Sequence, residues 1–573
     1  MGYIDTYKSW LGDKRINPEA KAELAALENN KEEIEYRFGA ELEFGTAGMR
    51  GIIGYGTNMM NVYTVRRATQ GLAEFVKALG ADARDRGVVI SYDTRLKSAE
   101  FAKAAADVLA ANGIHAYLFA KEHPVPMLSY AVRELGTVAG IMVTASHNPK
   151  QYNGYKVYGA DGAQMSPEDT EIVVGFIKGI TDYLGTPDPN PAQTAQYLHI
   201  LTPKFDKNYY KALKKLTLSK KAIKKCGKNL KLVYTPVHGS GYEPVTTILK
   251  MIGINATVVE EQKNPDPEFS TVEVPNPEFK ETLSLGIEYA RRIDATVVFG
   301  TDPDSDRLGV AVKNKDGEFE ALSGNQVGIL LLDYILTRLK EEKNLPKNAA
   351  VVKSFVTTGM AKAICAHFGV ELFEVPVGFK FIGEKIKEWE RDLSHTFVFG
   401  FEESCGYLRG THARDKDAVV ASMLCAEMVC YYEWIGKTVY QRLQEIYSKY
   451  GYVLDCNISV PFKGLHAMDD MNAVVDKLKD DPAQSFDIYK VKAVRDYSKD
   501  VRTDLATGEK TAIGSPLTNC VYYELENGSF ICVRPSGTEP KLKIYFSVKA
   551  NNKQDADDAL VKMQAAAKKL IGV

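Results

Sequence analysis

Residues 87–119 read GVVISYDTRLKSAEFAKAAADVLAANGIHAYLF, and this stretch decides the fold. A short apolar run rich in β-branched residues leads into a polar loop and then an Ala-rich helical segment. Gly113 follows, and a second β-rich run closes the unit. A glycine at that point can take the left-handed conformation that ends a helix without a Cβ clash. The pattern is therefore a strand–helix–strand unit. Residues 231–259, KLVYTPVHGSGYEPVTTILKMIGINATVV, repeat it with Gly253 in the same place. Residues 350–375, AVVKSFVTTGMAKAICAHFGVELFEV, repeat it with Gly369. Units more than 100 residues apart indicate three related α/β domains and not a solenoid of short repeats.

Outward from these units the grammar changes. Residues 1 to about 40 read as helical, with Pro18 opening a run rich in Ala, Leu, Glu and Lys from Glu19 to Arg37 that reads as one amphipathic helix. From about 450 onward, strand candidates at Tyr452–Val460, Cys520–Glu524, Phe530–Val533 and Lys541–Val548 precede a terminal helix from about Gln554. That is the α+β pattern of a separate fourth domain. The expected division is 1–205, 206–320, 321–449 and 450–573. The chain of 573 residues agrees, since about 150 residues per domain predicts roughly four.

Composition narrows the function classes. Hydrophobic residues at 45% and charged residues at 25% are those of an ordinary globular protein. Lys+Arg at 72 against Asp+Glu at 74 leaves a net charge of −2, so no global field attracts nucleic acid or an anionic membrane. An anionic ligand must be held locally. The eight cysteines form no Cys-x-x-Cys pair and no zinc spacing, which favours a reduced, cytoplasmic setting. No leader is expected at the start, and no apolar run approaches the ~20 residues of a membrane span. Met1–Thr6 fits the loose myristoylation pattern, with no polybasic segment beside it.

Five segments carry chemistry. Thr144-Ala145-Ser146-His147-Asn148-Pro149 follows the apolar run Ala139–Val143, so a hydroxyl at a strand end can face a cleft; alone, it reads equally as a surface turn. Asp302-Pro303-Asp304-Ser305-Asp306-Arg307 sets three carboxylates at alternate positions after the strand Ala295–Gly300. It is not an EF-hand, because Arg307 stands where that loop needs Gly and Lys313 where it needs Glu. Few oxygen ligands and room for a phosphate suit Mg²⁺; an acidic turn pairing with Arg307 is the other reading. Arg534-Pro535-Ser536-Gly537-Thr538-Glu539-Pro540 offers a cation, hydroxyls and glycine-exposed amides, a plausible phosphate cradle. Gly400–Tyr407 carries Glu402, Glu403 and Ser404, suited to sugar hydroxyls or simply to solvent. Phe44–Gly51 is a glycine-rich loop bearing Arg50.

In this order, together with Asn153-Gly154-Tyr155-Lys156 and Gly378-Phe379-Lys380, the segments resemble the α-D-phosphohexomutase family, which includes phosphoglucomutases and phosphomannomutases. The N-terminal helices are most similar to the longer phosphoglucomutase branch. The resemblance implies four domains in a heart-shaped enzyme with a cleft at their junction. It makes Ser146 the phosphoserine and, with Asp302, Asp304 and Asp306, the Mg²⁺ site. Lys156 and Arg50 become the general acid and base, with His147 a less favoured shuttle. Glu402 and Ser404 become sugar readers, and Arg307, Gly378, Lys380 and Lys416 further substrate contacts. Arg534, Ser536, Gly537 and Thr538 become the grip on the non-reacting phosphate. Val377 departs from the pattern, standing where many members carry Thr, which bears on the sugar and not on the chemistry.

The implied reaction converts a sugar 1-phosphate to the 6-phosphate, glucose first among candidates, through a bisphosphate such as glucose 1,6-bisphosphate. Sugar phosphates are the expected partners. A phosphopentomutase or a sugar-bisphosphate synthase would use the same phosphoserine; a sugar-phosphate sensor without catalysis would have no need of the acidic loop.

Overall fold

A computed structural model describes residues 2–45, 48–462, 467–536 and 541–572. The chain forms two compact units. The first comprises Met1–Leu322 with Ile386–Arg391 and Cys405–Trp434; the second comprises Ser323–Lys385, Asp392–Ser404 and Ile435–Val573.

In the first unit the N-terminal segment forms helices Tyr3–Gly12, Pro18–Ala25 and Lys31–Phe38. The single helix expected over Glu19–Arg37 is thus two. Asn30 breaks it, because its side chain accepts from the Glu33 amide at 3.2 Å and caps a new helix. Trp10, Leu24, Ile34 and Phe38 close a small core among these helices.

The first sheet runs Met49–Ile52, Tyr152–Gly159, Ala139–Val143, Val88–Tyr92, Ala116–Phe119, Leu198–Leu201. Val88–Tyr92 lies parallel to both Ala116–Phe119 and Ala139–Val143, and Tyr152–Gly159 returns antiparallel. Val88, Val89 and Ile90 are fully buried, as a strand covered on both faces requires. The second sheet runs Phe319–Leu322, Leu308–Lys313, Val297–Thr301, Leu232–Thr235, Ala256–Val258, with the last three strands parallel. The apolar helix Ala418–Trp434 is buried along most of its length in this unit.

In the second unit Ala349–Ser354 lies parallel to Glu371–Val375 and Thr396–Glu402. All three sequence repeats are therefore parallel strand–helix–strand units. Gly113, Gly253 and Gly369 all take positive φ, 68°, 95° and 68°, at or just past their helix ends. The C-terminal part is an eight-stranded sheet in which Tyr452–Pro461 pairs antiparallel with Lys541–Ala550 along its whole length. Helices Ala467–Asp480 and Lys553–Ile571 contribute Met471, Val475 and Met563 to its core. Beyond the four expected strands it contains Ser485–Phe486, Tyr489–Asp496, Val501–Asp504 and Lys510–Ala512. The charged side chains of YKVKAVRD and VRTD hide their strand period from a hydrophobic reading. Among the described residues, no single helix is long and apolar enough to cross a membrane.

One rule places the functional segments. Four of them lie just beyond the carboxyl end of a parallel strand, where open α/β sheets gather their ligands. Val88–Tyr92 leads to Asp93 and Arg95, and Ala139–Val143 to Ser146. Val297–Thr301 leads to Asp302, and Thr396–Glu402 to Glu403 and Ser404.

Candidate active site

In the first unit Ser146 and the acidic loop meet. Ser146 is 4% exposed, and its Oγ donates to Asp302 Oδ2 at 3.0 Å. Its φ of 53° lies in the left-handed region, a costly conformation for a side chain other than glycine. Two buried groups maintain it. The Ser146 amide donates to Thr144 Oγ1 at 2.8 Å, and Thr144 Oγ1 donates to Asp93 Oδ2 at 2.6 Å. Arg95, with no exposed side-chain surface, donates to the carbonyls of Ser146 (2.5 Å), Asn148 (2.6 Å), Pro149 (3.0 Å) and Tyr152 (3.2 Å). Asp93 pairs with Arg95 at 3.2 Å and accepts from Ser98 Oγ at 2.7 Å. Asp93 and Arg95 belong to the repeat at 87–119 and were missed as site residues. Their signal was an acid and an arginine directly beyond the first parallel strand.

The acidic loop is seated with comparable closeness. Asp302 Oδ1 accepts from the amides of Asp306 (3.1 Å) and Arg307 (3.0 Å). The Pro303 carbonyl accepts from Ser240, through the amide at 2.9 Å and the hydroxyl at 2.8 Å. A Cβ on Gly239 would lie 2.5 Å from Pro303 Cα, and one on Gly241 would lie 2.4 Å from Ser305 Oγ, so only glycine permits this seat. The Val237–Gly241 loop was also missed; its Gly-Ser-Gly sits at the same place in the second repeat as the Asp93 loop in the first.

Asp302, Asp304 and Asp306 each offer a carboxylate oxygen, and these atoms lie within 4.8 Å of one another. All three residues are buried, and Asp304 Oδ1 and Asp306 Oδ1 have no hydrogen-bond partner among the described residues. Burial and the neighbouring Asp304 and Asp306 charges push the Asp302 carboxyl well above its usual range. Burial also raises Asp306, against the pull of the Lys416 ammonium. Burial opposes ionisation of Asp304 too, but Lys156 prevails and holds it below the usual range. Two orphaned oxygens and crowded like charges fit a hard divalent cation, which takes oxygen ligands.

Cations surround this centre. Lys156 Nζ donates to Asp304 Oδ2 at 3.0 Å from the strand Tyr152–Gly159. Lys416 Nζ lies 3.1 Å from both Asp306 Oδ2 and Asp415 Oδ1, and Tyr158 OH donates to Asp415 Oδ2 at 2.8 Å. Arg50 Nη1 donates to Asn148 Oδ1 at 3.0 Å. Arg307 is tied to Glu278, and its Nε also lies 3.9 Å from Asp306 Oδ1, a second and longer ion pair. His147 does share a face with its neighbour: Nδ1 is 3.2 Å from Ser146 Oγ. Burial, Arg307 and Arg50 hold its imidazole well below the ordinary histidine range, so it is neutral.

The second unit holds the other expected residues. Glu402 is buried and accepts from the Gly378 amide at 2.7 Å, where Gly378 takes φ 126°. Glu403 accepts from Ser354 (3.2 Å) and Thr357 (3.1 Å), so this acid pair is built in and not solvated. Lys380 Nζ lies 5.0 Å from the Phe381 ring centroid, and Ser404 is half-buried beyond its strand. Arg534 Nη2 donates to Tyr545 OH at 3.4 Å, and the Ser536 amide donates to the Lys541 carbonyl at 2.8 Å. Gly537 and Thr538 lie outside the described residues.

The chain matches four family models in succession. They are the phosphoglucomutase/phosphomannomutase alpha/beta/alpha domains I (41–184), II (207–317) and III (323–450) and the C-terminal domain (471–561). It is 37% identical to a phosphoglucomutase of Staphylococcus aureus strain USA300 over 526 residues, 91% of this chain and 93% of the relative. With a phosphoglucomutase of strain MRSA252 it shares 35% over 565 residues, 98% and 99% of the two chains. A crystal structure of a putative phosphomannomutase from Thermus thermophilus superposes with a TM-score of 0.68 at 23% identity, covering 93% of this chain and all of that one. The open form of pp63/parafusin, a phosphoglucomutase from Paramecium, gives 0.65 at 16% identity, covering 93% and 95%. With all four domain models matched in order and a relative more than a third identical over nearly its full length, the chain belongs to the phosphoglucomutase/phosphomannomutase family.

Proposed function

We propose that this protein is a sugar-phosphate mutase, an isomerase that interconverts a sugar 1-phosphate and the 6-phosphate, with glucose as the first candidate sugar. The observation that carries this reading is the contact of Ser146 Oγ with Asp302 in a buried three-aspartate cluster. A hydroxyl at such a centre can hold a phosphoryl group, and transfer then rests on positioning and charge neutralisation.

In this reading Ser146 carries the phosphoryl group. It gives the group to the free hydroxyl of the bound sugar phosphate, leaving a bisphosphate such as glucose 1,6-bisphosphate. The bisphosphate turns over and Ser146 takes back the other phosphate. Lys156 moves the proton of the attacking hydroxyl; its support is the 3.0 Å bond to Asp304, which fixes its ammonium beside the cluster. His147, neutral and 3.2 Å from Ser146 Oγ, is a second proton carrier on the same loop. Asp302, Asp304 and Asp306, with the Ser146 oxygen, would hold Mg²⁺. When bound, that ion supplies Lewis-acid neutralisation of phosphoryl oxygens. Arg50, Arg307 and Lys416 contribute further positive charge to the bound phosphate. In the second unit, Glu402 and Ser404 read sugar hydroxyls, with Gly378 and Lys380 beside them. Arg534, Ser536, Gly537 and Thr538 hold the phosphate that is not reacting.

The four-domain division at about 205, 320 and 450 belongs to this proposal, as does a cytoplasmic site of action. The support for the latter is chemical: all eight cysteines are free thiols. Small sugar phosphates are the only partners the reading requires. Parallel assays with glucose, mannose and ribose 1-phosphates test it. Turnover of a hexose phosphate is expected; turnover of ribose phosphate alone would make the protein a pentomutase.

A further inference from the structure

Two thiols in the second unit take no part in the reaction above. Cys520 and Cys532 are both completely buried, and their Sγ atoms lie 3.2 Å apart, closer than the ~3.5–4.0 Å at which non-bonded carbons pack. Cys532 lies on Phe530–Pro535, and Cys520 immediately precedes the neighbouring antiparallel strand Val521–Leu525, in which Tyr522 faces Cys532 and Val521 faces Val533. Cys520 ends the mostly exposed segment 513–519. This strand end is held by the Thr518 amide on the Tyr497 carbonyl and the Tyr497 amide on the Cys520 carbonyl, both at 3.2 Å. Opening those bonds loosens the start of the strand around Cys520 without dismantling the sheet, the kind of local fluctuation that strand ends permit.

We propose that Cys520 and Cys532 form a reversible disulfide when the protein meets a peroxide, and that the cross-link displaces Arg534 and weakens its hold on phosphate. Cys520, as thiolate, attacks hydrogen peroxide: an S–O bond forms, the O–O bond breaks, and the departing hydroxide takes the thiol proton to become water. Cys532 then attacks the sulfenic sulfur: the S–S bond forms, the S–O bond breaks, and hydroxide leaves with the second thiol proton. Two thiols and one peroxide give one disulfide and two waters, with two electrons passing from sulfur to oxygen.

The link to function is geometric. Cys532 and Arg534 are two residues apart on the strand Phe530–Pro535 and so project from the same face. Tyr545 stands across from Cys532, and its hydroxyl is the one that accepts from Arg534. Cys532 is packed among Phe355, Tyr497, Tyr522 and Phe530, which leave the strand little room to absorb a shift. A disulfide requires the sulfurs at about 2.05 Å, so closing the bond brings them about 1 Å nearer on the strand face that also carries Arg534. Formation of the bond is independent of the proposed mutase activity; its effect on substrate binding rests on that reading, and the two are measured separately.

The full chain is treated with hydrogen peroxide, denatured in alkylating reagent and mapped by peptide mass, with kinetics on parallel samples. A Cys520–Cys532 linked peptide is expected, removable by a dithiol. KM for the sugar phosphate should rise ~10-fold with kcat within about twofold, and the dithiol should reverse this. C520A should match the untreated wild type in KM and kcat before and after peroxide. Recovery of both cysteines as alkylated thiols would overturn the proposal. So would a linked peptide with unchanged KM, or an equal KM rise in C520A, which would trace the effect to another thiol such as the half-buried Cys456. If the untreated chain turned over no sugar phosphate, the proposed function would fail, and the peptide map alone would decide the disulfide.

Discussion

The guanidinium of Arg95 donates to the carbonyl of Ser146 at 2.5 Å, so the residue that carries the hydroxyl is gripped through its backbone from the neighbouring strand end. The same side chain takes three more carbonyls of the loop, and Asp93 secures it from below. Ser146 remains at positive φ because these bonds outweigh its backbone strain. Arg95→Ala should therefore misplace Oγ without removing a substrate contact. The expected result is a kcat lower by about 100-fold with KM within about threefold. Arg95→Lys, which cannot span four carbonyls, should not restore it, and steady-state kinetics of both variants checks this.

The three-aspartate cluster predicts a linkage between metal and stability. Mg²⁺ at a hundredfold above its dissociation constant should stabilise the folded chain by about 2.7 kcal/mol, read as a rise in Tm. Asp306→Asn should lose most of that rise, because it replaces a charged carboxylate of the cluster by a neutral amide. A chelator should abolish turnover, and added Mg²⁺ should restore it.

Asp455, in the second unit, gives a pH prediction. Desolvation raises its carboxyl to about 6, although Ser547 donates to it at 2.5 Å. Its folded pKa thus lies above the unfolded value of about 3.9. Between these values the folded state binds the extra proton, so stability falls as pH rises from about 4 to 6, and the penalty is complete above 6. Asp455→Asn should remove this segment of the pH dependence and raise stability at pH 7.5 by about 1 kcal/mol, measured by denaturant titration at several pH values.

Arg534 predicts the opposite kinetic signature to Arg95. If it grips the phosphate that does not react, Arg534→Ala should raise KM by about 10- to 100-fold with kcat changed far less. Turnover against sugar-phosphate concentration separates the two cases.

How much of this was legible in the sequence depends on the range of the physics involved. The repeats could be read because strand burial and helix termination are local: Val88–Ile90, Leu232–Tyr234 and Val351–Val352 are apolar in their own right, and Gly113, Gly253 and Gly369 mark turns by what they lack. Asn30 could in principle have been read as a cap, but the Ala/Glu/Lys composition around it outweighed one residue. The strands Tyr489–Asp496 and Val501–Asp504 were hidden because much of their stability comes from cross-strand pairing, including Arg495 and Arg502 on Glu524. The motifs at Ser146 and Asp302 were visible as residue types in order. Their meeting could be expected only through the family resemblance, because the two segments are separated by 156 positions and joined by tertiary packing. Asp93, Arg95 and Val237–Gly241 act on the backbone of those motifs; their place just beyond a parallel strand was readable, but the carbonyls and amides they hold were not.

The central claim is that Ser146 carries the phosphoryl group, and peptide mass mapping tests it most directly. The chain is incubated with Mg²⁺ and glucose 1,6-bisphosphate, desalted and digested. One phosphate on Ser146 is predicted, lost on addition of sugar monophosphate in excess, with neither phosphate nor turnover in Ser146→Ala. Mutase turnover by a protein whose Ser146 stays unmodified, or equal turnover by the Ser146→Ala variant, would contradict the account.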